Sequence, residues 1–191
     1  DIGIQTELNL TDVVTDNDSS LSLLANSSIT KNGDILLNEI NTNGYTLTLN
    51  PAITSLTAEK IYIPNYDNSS SNYMVSTGEF LAQGVDVTLT KPLWLEKGEM
   101  KMGAGTLTLE QGGELGEDGE LDLTGSTLDL TGPFYNNKGK GTLTTSASTL
   151  SLKSNVKFEP GNDVTFNTYE PDGWGMVLHN DSDNSSQTIN L

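Results

Sequence analysis

Cysteine is absent from the 191 residues, and so is arginine. The first absence excludes disulfides, thiol chemistry and Cys-ligated zinc. The second leaves nine basic residues, all lysine, against 26 acidic ones, for a net charge of −17. No nucleic-acid-binding patch can be assembled from so few scattered cations, and anionic membrane surfaces are repelled. No apolar run approaches the roughly 18 residues of a membrane-spanning helix, so membrane insertion is not expected. The single histidine, His179, sits in a polar stretch with no nucleophile beside it. Alanine is rare, which with the missing arginine removes two of the best helix formers. The absence of cysteine suits an extracellular location. The chain opens on Asp1 rather than Met, and a leader or upstream segment is expected to have been removed.

What is present is Thr, Ser, Gly, Asn and short alternations of aliphatic residues. Apolar side chains recur at i, i+2 in Leu47/Leu49, Ile61/Ile63, Val87/Leu89, Leu93/Leu95, Met100/Met102 and Leu107/Leu109. The series continues through Leu121/Leu123, Leu128/Leu130, Leu150/Leu152, Val156/Phe158 and Val164/Phe166. Each pair predicts a strand of three to five residues with one buried face. The pairs also repeat. Val87, Leu107, Leu128 and Leu150 follow one another at offsets of 20, 21 and 22 residues. Leu93/Leu95, Leu115, Phe134 and Val156/Phe158 form a second series, and Met100/Met102, Leu121/Leu123, Leu143 and Val164/Phe166 a third. Glycines fall between the strands, where corners often need a positive φ. Short strands repeating at this period predict an all-β solenoid, with three short strands per coil of about 20–22 residues.

The expected organisation is a β-solenoid over residues 1–167, irregular over 1–84 and regular over 85–167, followed by a C-terminal cap or tail at 168–191. Upstream, Leu21/Leu23, Ile29 and Ile35/Leu37 are expected to make one coil, and Leu47/Leu49, Ile53 and Ile61/Ile63 the next. On that phasing Asn38–Gly44 bulges outward as a loop. Residues 65–76 (NYDNSSSNYMVS) read as a larger insertion. Six to seven coils give a rod about 30 Å tall, at about 4.8 Å per coil. Its open ends carry unpaired backbone groups and call for caps or neighbours.

The stretch Gly119–Leu152, GELDLTGSTLDLTGPFYNNKGKGTLTTSASTLSL, resembles the repeats of filamentous haemagglutinin-like and autotransporter passenger proteins. The shared features are a Leu-x-Leu strand, a Gly-rich or Asn-x-Gly corner, here Asn137-Lys138-Gly139, and a Thr/Ser-rich outer face. The resemblance spans residues 85–167 and implies a right-handed parallel β-helix on a bacterial surface. No catalytic motif comes with it.

Several outward features bear on function. Thr46/Thr48, Thr88/Thr90, Thr106/Thr108, Thr127/Asp129 and Thr149/Ser151 are expected on one face. Such rows resemble the flat surfaces of ice-binding solenoids, although Thr is also simply a good exposed strand residue. Asp16 and Asp18, and Asp181 and Asp183, place oxygen ligands closely on polar loops and are the first choices for Ca²⁺. Neither run completes a twelve-residue calcium loop, and a solvated acidic surface is the plainer reading. Glu120/Asp122 or Asp122/Asp129 can be drawn as a hydrolase pair. Polysaccharide lyases, by contrast, need cations to neutralise uronates, and this chain's charge repels polyanions. Trp94 and Trp174 flank strands, and core or cap packing is expected of them over stacking on sugars. The composite expectation is a non-enzymatic, extracellular structural or adhesive module, with no cofactor. Its expected partner is a protein or glycan surface ligand, or copies of itself stacked end to end. The alternatives are a carbohydrate-binding or polysaccharide-degrading β-helix and an ice-binding protein.

Overall fold

Alternation of Leu with Thr, Ser or Asp turns one side of each short strand away from water. Those apolar sides together fill one interior shared by both large sheets, each flanked by its counterparts one coil away. The computed structural model describes residues 2–4, 7–9, 16, 18–63, 65–67, 73–76, 78–136, 141–178 and 188–191. These form an all-β parallel solenoid of about seven coils, and no helix occurs among the described residues.

Like side chains stack over like along three columns. In the first, Leu56 pairs with Val87, Val87 with Leu107, Leu107 with Leu128 and Leu128 with Leu150. All five side chains are fully buried. In the second, Leu95 lies over Leu115 and Leu115 over Asn136, while Phe134 lies over Phe158 with ring centroids 5.7 Å apart. In the third, Leu47, Phe80, Met100, Leu121 and Leu143 follow one another rung by rung. Each buried Leu, Phe or Met contributes about 1.5–3 kcal/mol, so the columns are the main source of stability.

Three columns nevertheless make two large parallel sheets, of nine and ten strands. The reason is that the chain rounds some corners without leaving extended conformation. Strands Gly33–Asn41 and Ile53–Tyr62 carry first- and second-position residues in one run. Strands Leu93–Lys101 and Gly113–Asp122 instead join second and third positions. These four run to nine or ten residues, longer than the alternation alone suggests; most others have three or four.

Upstream of residue 84 the phasing differs from expectation. Asn38–Gly44 is not an outward loop: strand Gly33–Asn41 runs through most of it, and Ile40 and Thr42 are fully buried. Ile40 pairs with Leu21 on one side and Ile61 on the other, so these three share a position. Ile35/Leu37 belong with Leu56/Ala58 in the first column, and Leu47/Leu49 belong to the third. The 21-residue offset is therefore kept between Ile35 and Leu56 and between Ile40 and Ile61. The expected phase was wrong because Ile40 is followed inward by a threonine rather than a second aliphatic residue. Thr42 satisfies its hydroxyl by donating to the Ile63 carbonyl at 2.5 Å.

The insertion at 65–76 contains an antiparallel hairpin, Asn65–Asp67 with Tyr73–Ser76, separate from both large sheets. Parallel pairing resumes beyond it, with Leu47 against Phe80 and Leu56 against Val87. After residue 167 the ladders also go on. Thr168–Glu170 pairs with the Thr149–Leu152 strand, Met176–Leu178 with Val156–Phe158, and Ile189–Asn190 with Val164–Thr165.

A second polar residue at an inward position is Asn136, which lies under Leu115 in the second column. The Asn136 side chain is fully buried. Its Nδ2 donates to the carbonyls of Gly141 (2.8 Å) and Pro160 (2.7 Å), and its Oδ1 accepts from the Gly141 N–H (2.9 Å). These bonds staple two successive coils at a corner. Asn136→Ala is expected to lose roughly 2–4 kcal/mol, because three buried backbone groups lose their partners. Urea unfolding measures this, and an unshifted midpoint contradicts the staple.

Candidate functional site

The outer surface offers three arrangements to consider: an aromatic strip, an acidic corner and the threonine files. The aromatic strip begins with alternation in strand Leu93–Lys101. Leu93 and Leu95 both point inward and are buried, so Trp94 between them must point out, and it is 64% exposed. This corrects the expectation of core packing for Trp94. On the next rung Glu114 pairs with Trp94, and on the one after it Tyr135 pairs with Glu114. Beside this file, Pro92, Gln111 and Pro133 help line a depression of about 250 Å³. Gly112 lets the next rung approach closely here. Its φ is +79°, and a Cβ there would lie 1.9 Å from the Pro133 carbonyl oxygen. The rungs are tied here by Leu93 N–H to Gly112 C=O (3.1 Å) and Gly113 N–H to Pro133 C=O (2.9 Å). Gln111 is held by its Nε2 donating to the Thr90 carbonyl at 2.8 Å.

The acidic corner lies where Gly78 and Gly98 let successive coils approach closely. Glu79, Glu99 and Glu120 stand in register there on consecutive rungs, beside Asp118, around a depression of about 320 Å³. Neighbouring groups offset the like charge. Thr46 Oγ1 donates to Glu79 (3.1 Å), Lys101 pairs with Glu99 (2.8 Å) and Lys97 with Asp118 (3.0 Å). The hydrogen bond and charge of Asp118 hold the Lys97 amine above its ordinary value of 10.5, and the hydrogen bond to Glu99 does the same for Lys101. Both amines are therefore protonated throughout the neutral range.

The pairs drawn from the sequence as hydrolase carboxylates fall differently. Glu120 and Asp122 share the outward side of one strand, and Asp122 accepts from the Thr124 N–H at 2.9 Å. Asp129 lies around the corner in the other large sheet, 3.9 Å from Lys153. Asp122 and Asp129 thus do not face one another across a common strand.

The threonines form two partial files on the first column. Thr106, Thr127, Thr149 and Thr168 are one unbroken file. Beside it Thr57, Thr88 and Thr108 run into Asp129, Ser151 and Glu170. Thr46 and Thr48 are not part of this face: they pair with Glu79 and Leu81 in the other sheet. The paired Thr-x-Thr rung occurs here only at Thr106–Leu109 among the described strands of this face.

Of the calcium candidates, Asp181 and Asp183 lie outside the described residues, as do His179 and the Asn137-Lys138-Gly139 corner. Asp16 turns its carboxylate onto its own turn, accepting from the Asp18 N–H (3.1 Å) and the Ser19 hydroxyl (2.8 Å). Among the described residues, no three or more His, Asp or Glu side chains are grouped to hold a metal ion. Trp174 is half-exposed in the turn before strand Met176–Leu178. The aromatic strip was missed because Tyr135 and Glu114 look unremarkable singly; the 20- and 21-residue offsets that align them with Trp94 were the available signal.

No protein-family model matches this chain, no curated protein matches its sequence, and no solved structure matches it.

Proposed function

We propose that this chain is a non-enzymatic structural and adhesive module of an extracellular bacterial surface protein, of the kind that filamentous haemagglutinin-like repeats make up. Its work is mechanical. Backbone ladders running the length of two large parallel sheets resist bending, and the stacked apolar columns exclude water from the axis. The outward Thr, Ser, Asp and Glu side chains keep the rod soluble and separate from its neighbours. The single observation that carries the proposal is the exposed Trp94 on the side of the rod, since a large aromatic side chain held in water by a strand of a rigid sheet marks a contact surface.

Two kinds of contact fit a rod. Its side surface can bind a partner protein or glycan, or its end strands can pair with another copy. The side surface is favoured because Trp94 lies in mid-rod, with rungs on either side of it. Beads coated with the folded chain are expected to adhere to cells or matrix well above beads coated with a heat-unfolded sample. Equal adhesion of the two rules out an adhesive role. Electron microscopy of the same protein is expected to show separate particles, and long fibres favour end stacking instead. Release of reducing ends from a polysaccharide panel overturns the non-enzymatic reading.

A further inference from the structure

We infer that Asn32 is a site of covalent self-modification, at which the side-chain amide is lost and the main chain passes through a cyclic imide to aspartate and isoaspartate. The site goes beyond the adhesive reading and does not depend on it.

The step Asn-Gly occurs twice in the chain, at Asn32-Gly33 and at Asn43-Gly44. Asn and Gly are favoured turn residues, and both steps fall at corners of the solenoid. A glycine after an asparagine also leaves its main-chain nitrogen unhindered, because no Cβ stands beside it. That nitrogen can reach the Cγ of the asparagine and close an imide. What separates the two corners is how firmly each is held.

Asn43 is held from both neighbouring coils. Its Nδ2, the group that must leave, donates to the Leu23 carbonyl at 2.8 Å. The Gly44 N–H, which carries the attacking nitrogen, donates to the Ile63 carbonyl at 3.1 Å on the opposite side. The Asn43 N–H donates to Asn41 Oδ1 at 2.9 Å, so the turn itself is pinned. Ring closure there needs both cross-coil bonds to open.

Asn32 differs on each count. It is exposed, in the bend between strands Ser27–Thr30 and Gly33–Asn41. Among the described residues no hydrogen bond ties its side-chain amide. The Gly33 N–H reaches the Ala52 carbonyl only at 3.4 Å, beyond the ordinary range of about 2.7–3.2 Å. A Cβ built on Gly33 would meet nothing within 4 Å, so the corner has room for the ring. The pairing with the next coil also shifts register between Gly33 and Ile35, so a continuous ladder does not grip this end of the strand.

The step needs only water and its hydroxide. Hydroxide takes the Gly33 amide proton, and the nitrogen bonds to Asn32 Cγ. The Cγ–Nδ2 bond breaks, and Nδ2 leaves as ammonia with a proton from water. A second water then opens the imide. Cleavage of the new N–Cγ bond gives aspartate. Cleavage between that nitrogen and the Asn32 carbonyl carbon gives isoaspartate, with the main chain running through the former side chain. Nothing is oxidised or reduced, and each event adds one negative charge to a chain already at −17.

The test incubates the full folded chain in mildly alkaline buffer and follows both asparagines by peptide mapping with mass spectrometry. Asn32 is expected to convert roughly tenfold or more faster than Asn43, where two hydrogen bonds must open first. Its products are expected as an aspartate and isoaspartate pair, the latter methylated by an isoaspartyl methyltransferase. The same incubation in urea is expected to bring the two rates together, because the reacting dipeptide is identical. Asn32→Gln, whose ring would be one carbon larger, is expected to remove the product and leave the unfolding midpoint at the parent value. The inference is overturned if Asn32 stays intact in the folded chain while the unfolded chain reacts there, or if folded Asn43 converts as fast as Asn32.

Discussion

Leu128→Asp is expected to abolish the normal cooperative unfolding transition at room temperature. Leu128 is fully buried between Leu107 and Leu150, at the middle of the first column. The substitution forfeits the roughly 1.5–3 kcal/mol of a buried leucine and adds the cost of a desolvated carboxylate, several kcal/mol more. Among the described residues no lysine is buried in the interior to pair with it. Coils are stabilised by their neighbours, and a broken rung uncouples those on both sides. Far-UV circular dichroism with urea titration reads the effect, and a parent-like curve sinks the column assignment. Thr127→Asp on the same strand is the contrast. Thr127 faces outward and is half-buried, and its replacement is expected to stay within about 1 kcal/mol.

The second large effect is expected at Gly119, where an added methyl group destabilises the chain by about 3 kcal/mol or more. Gly119 is buried, and a Cβ built on it would lie 2.0 Å from the Leu95 carbonyl oxygen. A flexible side chain could swing aside, but that oxygen belongs to a backbone fixed in the ladder. The place is already irregular: Leu95 pairs with Leu115 but Lys97 with Asp118, so the later coil fits one extra residue around this corner. Gly119→Ala must push two coils apart where they have adjusted most. Chemical denaturation is the measurement, and a loss below about 1 kcal/mol means that the coils are looser there than the geometry requires.

The two effects differ in how readable they were. The first column stands out in sequence because Val87, Leu107, Leu128 and Leu150 each begin an aliphatic pair at a nearly constant offset. The glycines also show in the sequence, but nothing there separates Gly119, which a neighbouring carbonyl crowds, from glycines that merely turn corners. The phase of the N-terminal coils was hidden for a different reason. Every column uses the same Leu/Ile-x-Leu/Ile vocabulary, so a pair does not say which column it joins. Only hydrogen-bond register places Ile40 with Leu21 and Ile61. Polar residues at inward positions, Thr42 and Asn136, further break the pattern, because each finds its partners in backbone from another coil or across a corner. Trp94 was decidable by alternation alone, since two inward leucines leave it no inward place. Its size argued the other way, and the geometric rule prevailed. The strip it belongs to required knowing which residues lie over it, which is tertiary information expressed as sequence offsets of 20 and 21 residues.

The hairpin between Ile63 and Gly78 has a consequence for how such a chain can change. Register is restored immediately beyond it, so the rod treats the excursion as a side branch and the axis passes by undisturbed. Each coil supplies its own hydrophobic filling and its own corners, and the entropic charge for a longer detour grows only slowly with length. Such a chain can therefore acquire, trade or lose entire surface appendages while its spine stays as it was, and this hairpin is the natural place to graft a foreign epitope.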